Sequence, residues 1–162
     1  METLGPGDED LIRVASLARQ RAYAPYSKYK VGAAVRTKRN KIYSGANVEN
    51  ASYGLTVCAE RCAVWAAVAA GETKDYDAIA IVIDDDRLPT PCGACRQVIA
   101  EFAPDLRVVL ATTGGLRKAT TLTALPRNPS FLRISLSSGS APLSARGRTP
   151  SRASWRARAG RR

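Results

Sequence analysis

"TVCAERCAVWAAV", residues 56–68, sets Cys58, Glu60 and Cys62 at the head of a run of alanine, valine and tryptophan. The run from Ala59 to Ala70 predicts a helix, and Gly71 beyond it suits a left-handed C-terminal stop. Trp65 is expected in the core on this apolar helix. A carboxylate between two thiols has a bland reading, buried sulfur beside a solvated glutamate. Its chemical reading needs partners elsewhere in the chain.

Working outward, "AIAIVI" at 78–83 is a continuous apolar run, the pattern of a strand buried on both faces. "PCGAC" at 91–95 leads into a third helix predicted over Gly93–Phe102, followed by a strand at Leu106–Ala111 and a further one within 120–125. Upstream, Asp8-Glu9-Asp10 should cap a helix from about Leu11 to Ala22, ended by Pro25 and the polar "YSKYK". Val31–Val35 and Ile42–Val48, joined by "TKRNK", read as a hairpin. Helix, hairpin, helix, strand, helix, strand predicts an α/β protein of three layers, α-β-α, with a mixed central sheet covered by helices.

The 162 residues suit one domain with a sizeable core, and 45% hydrophobic with 24% charged content is ordinary for a globular chain. The acidic N-terminus is no signal peptide, and no apolar run reaches a membrane span, so a cytoplasmic protein with no membrane partner is expected. The chain contains no histidine. That absence excludes serine–histidine triads, cysteine–histidine dyads and mixed Cys/His zinc fingers. Four cysteines without a secretory segment point to metal or redox use rather than a disulfide framework.

The net charge of +11 is unevenly placed. Nine arginines and no acidic residue fall in 127–162, leaving 16 basic against 14 acidic groups before them. Residues 1–126 therefore read as a near-neutral folded domain. The Ser/Arg/Gly/Pro-rich stretch 127–162 reads as a basic, disordered tail that contacts nucleic acid only non-specifically, if at all.

Cys58 and the Cys92-x-x-Cys95 pair all sit at predicted helix starts, where backbone N–H groups and the helix dipole stabilise thiolates. Three thiolates leave the fourth tetrahedral position open for water, the arrangement of a catalytic zinc site. Glu60, in the same first turn as Cys58, is placed to take a proton from that water. Zinc(II) with three thiolates carries a net negative charge, and Arg61 is the nearest cation able to moderate it. The competing arrangement is a closed four-cysteine site including Cys62, four residues after Cys58; otherwise Cys62 is a small core residue.

"CAER", "PCGACRQ" and "GANVENASYG" together resemble the small homo-oligomeric, zinc-dependent cytidine deaminases over roughly Leu11–Pro126. The resemblance implies the cytidine-deaminase-like three-layer fold, zinc held by Cys58, Cys92 and Cys95, and Glu60 as proton shuttle. It implies that Asn47 and Glu49 bind ribose hydroxyls and that Tyr29 packs near the base. It further implies hydrolysis of cytidine and deoxycytidine to uridine and deoxyuridine in pyrimidine salvage, by a homo-oligomer, a tetramer in the family. Glu49 would repel a 5′-phosphate, which favours a free nucleoside. Two features depart from the family: Cys62, and "ALPRNPSF" in place of its closing Leu-Leu-Pro-x-x-Phe-like segment. Two other readings stay open, a deaminase of another amino-heterocycle or a polynucleotide, and a zinc-stabilised basic binding protein.

Overall fold

The computed structural model describes residues 3–125; Pro126 and the basic stretch 127–162 lie outside the described residues. Helix α1 spans Asp8–Gln20, strands β1 and β2 span Gly32–Thr37 and Ile42–Ala46, and a short 3-10 turn covers Tyr53–Leu55. Helix α2 (Ala59–Ala69), β3 (Tyr76–Ile83), α3 (Gly93–Phe102), β4 (Arg107–Thr112) and β5 (Arg117–Thr121) follow. The sheet order is β2-β1-β3-β4-β5. Only the β3–β4 pair is parallel, joined by the α3 crossover; the others are antiparallel. Helix α1 covers one face, and α2 and α3 the other. The sheet is mixed and helix-covered, as expected.

Burial explains the strand that was easiest to read. Every residue of β3 except Asp77 is buried, because its alternate side chains enter two different cores. Ile79 and Ile81 join Val64, Ile99 and Leu110 beneath α2 and α3. Ala78, Ala80 and Val82 meet Leu11, Ile12 and Ala15 of α1.

Two glycines set how closely the helices approach. A Cβ on Gly32 would lie 2.0 Å from the Ala15 carbonyl oxygen, and one on Gly45 would lie 2.4 Å from the Ala63 nitrogen. Both obstacles are helix backbone, which cannot swing aside as a side chain can. Helix α1 therefore rests on β1, and α2 rests on β2, at a distance only glycine permits.

Several boundaries differ from the sequence reading, each for a physical reason. Helix α1 begins at Asp8 rather than Leu11, because Gly7 takes the N-cap position and the three acidic residues form the first turn, complementing the dipole. It ends at Gln20, short of Ala22, since Tyr23 turns away to bridge Val48. Strand β2 stops at Ala46, and Val48 bridges Val57 as well. The last strand is Arg117–Thr121 rather than 120–125, because the turn through Gly115 (φ +100°) returns the chain early onto β4. Trp65 is a correction of substance: it is 45% exposed, on the face of α2 turned away from the sheet. Among the described residues no helix is long and apolar enough to cross a membrane.

Candidate active site

Helices α2 and α3 both start at the C-terminal end of the central strands, and each starts on a cysteine. Cys58 is the N-cap of α2 and Cys92 the N-cap of α3, both with extended backbone, while Cys95 lies in the first turn of α3. Their sulfurs lie within 4.8 Å of one another, with Cys58–Cys92 at 4.0 Å and Cys92–Cys95 at 3.4 Å. Tetrahedral ligands about 2.3 Å from zinc should be about 3.8 Å apart, so these spacings fit one ion. They are too wide for a disulfide. Cys62 does not belong to the cluster. Cys58, as the N-cap, has extended rather than helical backbone, so it does not share a helical face with Cys62 and the competing four-cysteine arrangement has no geometry here.

The thiols differ in charge state. Hydrogen bonding from Cys95, with Arg61 assisting, lowers the Cys58 thiol from its usual 9.0 to about 5. Cys95, donating to that thiolate in a buried position, is pushed up. One thiolate is thus present near neutrality before any metal arrives. Arg61 sends Nη2 to Cys58 Sγ at 3.6 Å and to the Thr56 carbonyl at 3.2 Å. Its guanidinium lies 5.8 Å from the centre of the Trp65 ring, a cation–π contact that accounts for an outward tryptophan.

Cys58, Cys92 and Glu60 line a cavity of about 340 Å³. Glu60 is only 5% exposed, and burial raises its carboxyl above the usual range. Glu60 is therefore a buried carboxylate opening on a cavity beside the sulfur cluster, not a solvated helix-start residue. A wider open depression of about 960 Å³ lies at Thr3–Asp8, Arg36 and Arg107. It holds no thiol cluster, and Asp8 there is paired with both Arg36 and Arg107, so the smaller cavity is the candidate site.

The remaining expected residues also face this cavity. Asn47, 8% exposed, uses its amide to cross-link backbone: Oδ1 accepts from Val31 N and Nδ2 donates to the Tyr29 carbonyl, both at 2.8 Å. One amide N–H and one lone pair remain for a ligand. Glu49 Oε2 accepts from Tyr26 N at 2.8 Å and Ser27 N at 3.2 Å, while Oε1 accepts from the Ser27 hydroxyl. That hydroxyl is the largest cause of Glu49's lowered pKa. Tyr29 is 44% exposed on the rim, its phenol raised by burial and by Asp85. Sequence reasoning passed over Ser27, Tyr53 and Thr90, which line the cavity too. Tyr53 stood inside the quoted "GANVENASYG"; Ser27, 22 residues from Glu49, left no local signal.

Residues 6–112 match the family described as the cytidine and deoxycytidylate deaminase zinc-binding region. A cytidine deaminase of Halalkalibacterium halodurans is 49% identical over 118 residues, 72% of this chain and 89% of that protein. A blasticidin-S deaminase of Bacillus cereus is 37% identical over 127 residues, 74% of this chain and 89% of that protein. Among solved structures, cytidine deaminase from Burkholderia pseudomallei superposes with a TM-score of 0.68 at 49% identity, covering 70% of this chain and 91% of that one.

Proposed function

The chain belongs to the cytidine and deoxycytidylate deaminase family, and from that premise we propose that it hydrolyses cytidine and deoxycytidine to the uridines and ammonia. The observation that carries this reading is the three-thiol cluster of zinc-fitting dimensions, two of whose members, Cys58 and Cys92, share one cavity with the buried Glu60 carboxylate. Cys58, Cys92 and Cys95 would hold the zinc, which when bound would make a water molecule acidic enough to ionise near neutral pH. Glu60 takes the proton from the attacking water and passes it to N3 of the cytosine ring, then takes the second proton from the hydroxyl now on C4 and delivers it to the amine, so that the C4 carbonyl forms as ammonia departs. Burial suits it to both directions of transfer, because a carboxyl with a raised pKa is a better proton donor at neutral pH than a solvated one. Arg61 offsets the excess negative charge of three thiolates. Asn47 and Glu49 present one donor–acceptor and one anionic acceptor to the sugar hydroxyls, and Tyr29 closes the rim over the base.

The binding-protein reading leaves the buried Glu60 without a role. A second substrate reading has a specific support, the 37% identity to a blasticidin-S deaminase. Ultraviolet assays with cytidine, deoxycytidine, blasticidin S and a cytosine-containing oligonucleotide, on protein of measured zinc content, separate these. Turnover of the first two alone supports nucleoside salvage; preference for either of the others replaces that reading. The assembly proposed is a homo-oligomer, a tetramer by resemblance to the family, supported by the exposed aliphatic Leu17, Leu55 and Leu116 on the folded body. Light scattering after size exclusion tests it, and a monomer overturns it.

A further inference from the structure

Two segments distant in sequence form one wall of the cavity, 26–31 and 47–49. Asn47 and Glu49 stitch them together through side chains, and backbone bonds from Asn47 N to the Val31 carbonyl and from Glu49 N to the Tyr23 carbonyl add to the seam. Within this seam Ser27 does more than its neighbours. Its hydroxyl donates to Glu49 Oε1 and accepts from Tyr29 N at 3.0 Å, so one small side chain ties Glu49 to the segment bearing Tyr29. Between them Lys28 takes a left-handed φ of 59°, a conformation uncommon outside glycine and asparagine. A local tie that fixes both neighbours accounts for its persistence.

A carboxylate has about four acceptor positions. Two on Glu49 Oε2 are taken by backbone N–H groups, and one on Oε1 by Ser27. The vacancy left for a ligand is on Oε1, and its direction is set by where the serine hydroxyl stands. Glu49 and Ser27 also line an adjoining cavity of about 340 Å³ with Tyr26 and Tyr53. Without the serine, the carboxylate arm carrying Oε1 has space to turn away from the zinc-side cavity.

We propose that Ser27 is a positioning residue for sugar recognition: its hydroxyl holds Glu49 Oε1 so that the remaining lone pair meets a nucleoside hydroxyl. This rests on the reading of Glu49 as a sugar-binding group. The test compares cytidine with 2′,3′-dideoxycytidine, which lacks the hydroxyls concerned, in Ser27→Ala, Ser27→Thr, Glu49→Gln and the Ser27→Ala/Glu49→Gln double variant. Ser27→Ala should raise KM for cytidine about ten-fold, the size of one hydrogen bond to a charged group, with little change in kcat. It should cost dideoxycytidine less than about two-fold, and Ser27→Thr should restore most of the loss. In the Glu49→Gln background, Ser27→Ala should add almost nothing, because the two act through one contact. Zinc content and melting temperature, measured on each variant, identify a merely structural effect. Equal losses on both substrates for Ser27→Ala, or a full added loss in the double variant, overturn the proposal while leaving the role of Glu49 intact. Equal losses on both substrates for Glu49→Gln overturn the sugar-binding reading itself, and this inference with it.

Discussion

Replacing Glu60 by glutamine should separate activity from stability, moving them in opposite directions. The substitution preserves volume, so no cavity forms around a side chain only 5% exposed. It removes the group able to accept and return protons. Loss of a general acid–base catalyst costs about 10²–10⁴-fold in rate, or about 2.7–5.5 kcal/mol of transition-state stabilisation. Glu60 serves more than one transfer, which places the expectation at the upper end. Stability should respond the other way. Burial, reinforced by the Cys58 charge, raises the Glu60 carboxyl above its unfolded value of 4.5. A raised acid pKa means the folded state holds its proton longer than the unfolded state does. In zinc-free protein that penalises the wild-type fold as pH climbs through and above 4.5, a penalty the neutral amide escapes. Zinc-free Glu60→Gln should therefore melt at or above wild type at pH 7, with the gap closing toward pH 4. The zinc-loaded variant should keep its metal and lose its turnover. Cytidine turnover within about ten-fold of wild type, at full zinc content, would remove Glu60 from the chemistry.

Cys92→Ala should strip the zinc measured by elemental analysis, while Cys62→Ala keeps it; the reverse pattern would revive a site containing Cys62. Arg61→Ala removes a charge 3.6 Å from Cys58 Sγ, one of the causes that hold this thiol near 5. In zinc-free protein, alkylation of Cys58 by iodoacetamide should then slow at pH 6, and an unchanged rate would show that Cys95 alone sets the thiolate. Asn47→Ala breaks two buried 2.8 Å hydrogen bonds and should destabilise the fold by about 2–4 kcal/mol in denaturant unfolding. A loss confined to nucleoside binding would mean the backbone ties are dispensable. Cutting after Pro126 removes nine arginines and no acidic residue, taking the net charge from +11 to near neutrality. Zinc content should persist, and any nucleic-acid retention should vanish with the tail or with salt. A smaller, inactive species on light scattering would instead assign the tail to assembly.

What the sequence revealed depended on how far each signal reached. Helix α3 was legible to the residue because Pro91 and Cys92 punctuate its start, and Pro104 turns Ala103 out of the helical region just past Phe102. Strand β3 was legible because a strand covered on both faces cannot alternate. Trp65 misled because α2 is so rich in alanine that its pattern marks no outward face, and the partner that makes exposure tolerable is the charged Arg61 one turn back. The final strand misled because its register is set by a turn at Gly115, while Leu122 and Leu125 bury themselves from a turn rather than a strand. The clustering of Cys58, Cys92 and Cys95 was readable from their places at helix starts together with the family resemblance, whereas spacing alone left Cys62 open. The sugar-side wall was not, since Glu49 reveals its partners only when residues 26 and 27 are brought back across the hairpin.

The resting of α2 on Gly45 bears on how the protein unfolds. Cys58 is carried by a helix seated on the outer hairpin, whereas Cys92 and Cys95 are carried by the crossover between β3 and β4. An ion held by all three is a cross-link between the sheet's edge and its centre, closing a loop of 34 residues. Like any ligand that binds only the native state, it stabilises that state in proportion to the logarithm of its free concentration. It also forbids the edge strand β2 and its helix α2 from peeling off alone. Without it, β2 and α2 are the part free to open while β1 and β3–β5, paired strand to strand, persist; with it, edge and centre must come apart together. Hydrogen exchange of the β2 amides then becomes a gauge of metal occupancy, slow and sensitive to chelator where the neighbouring centre barely responds.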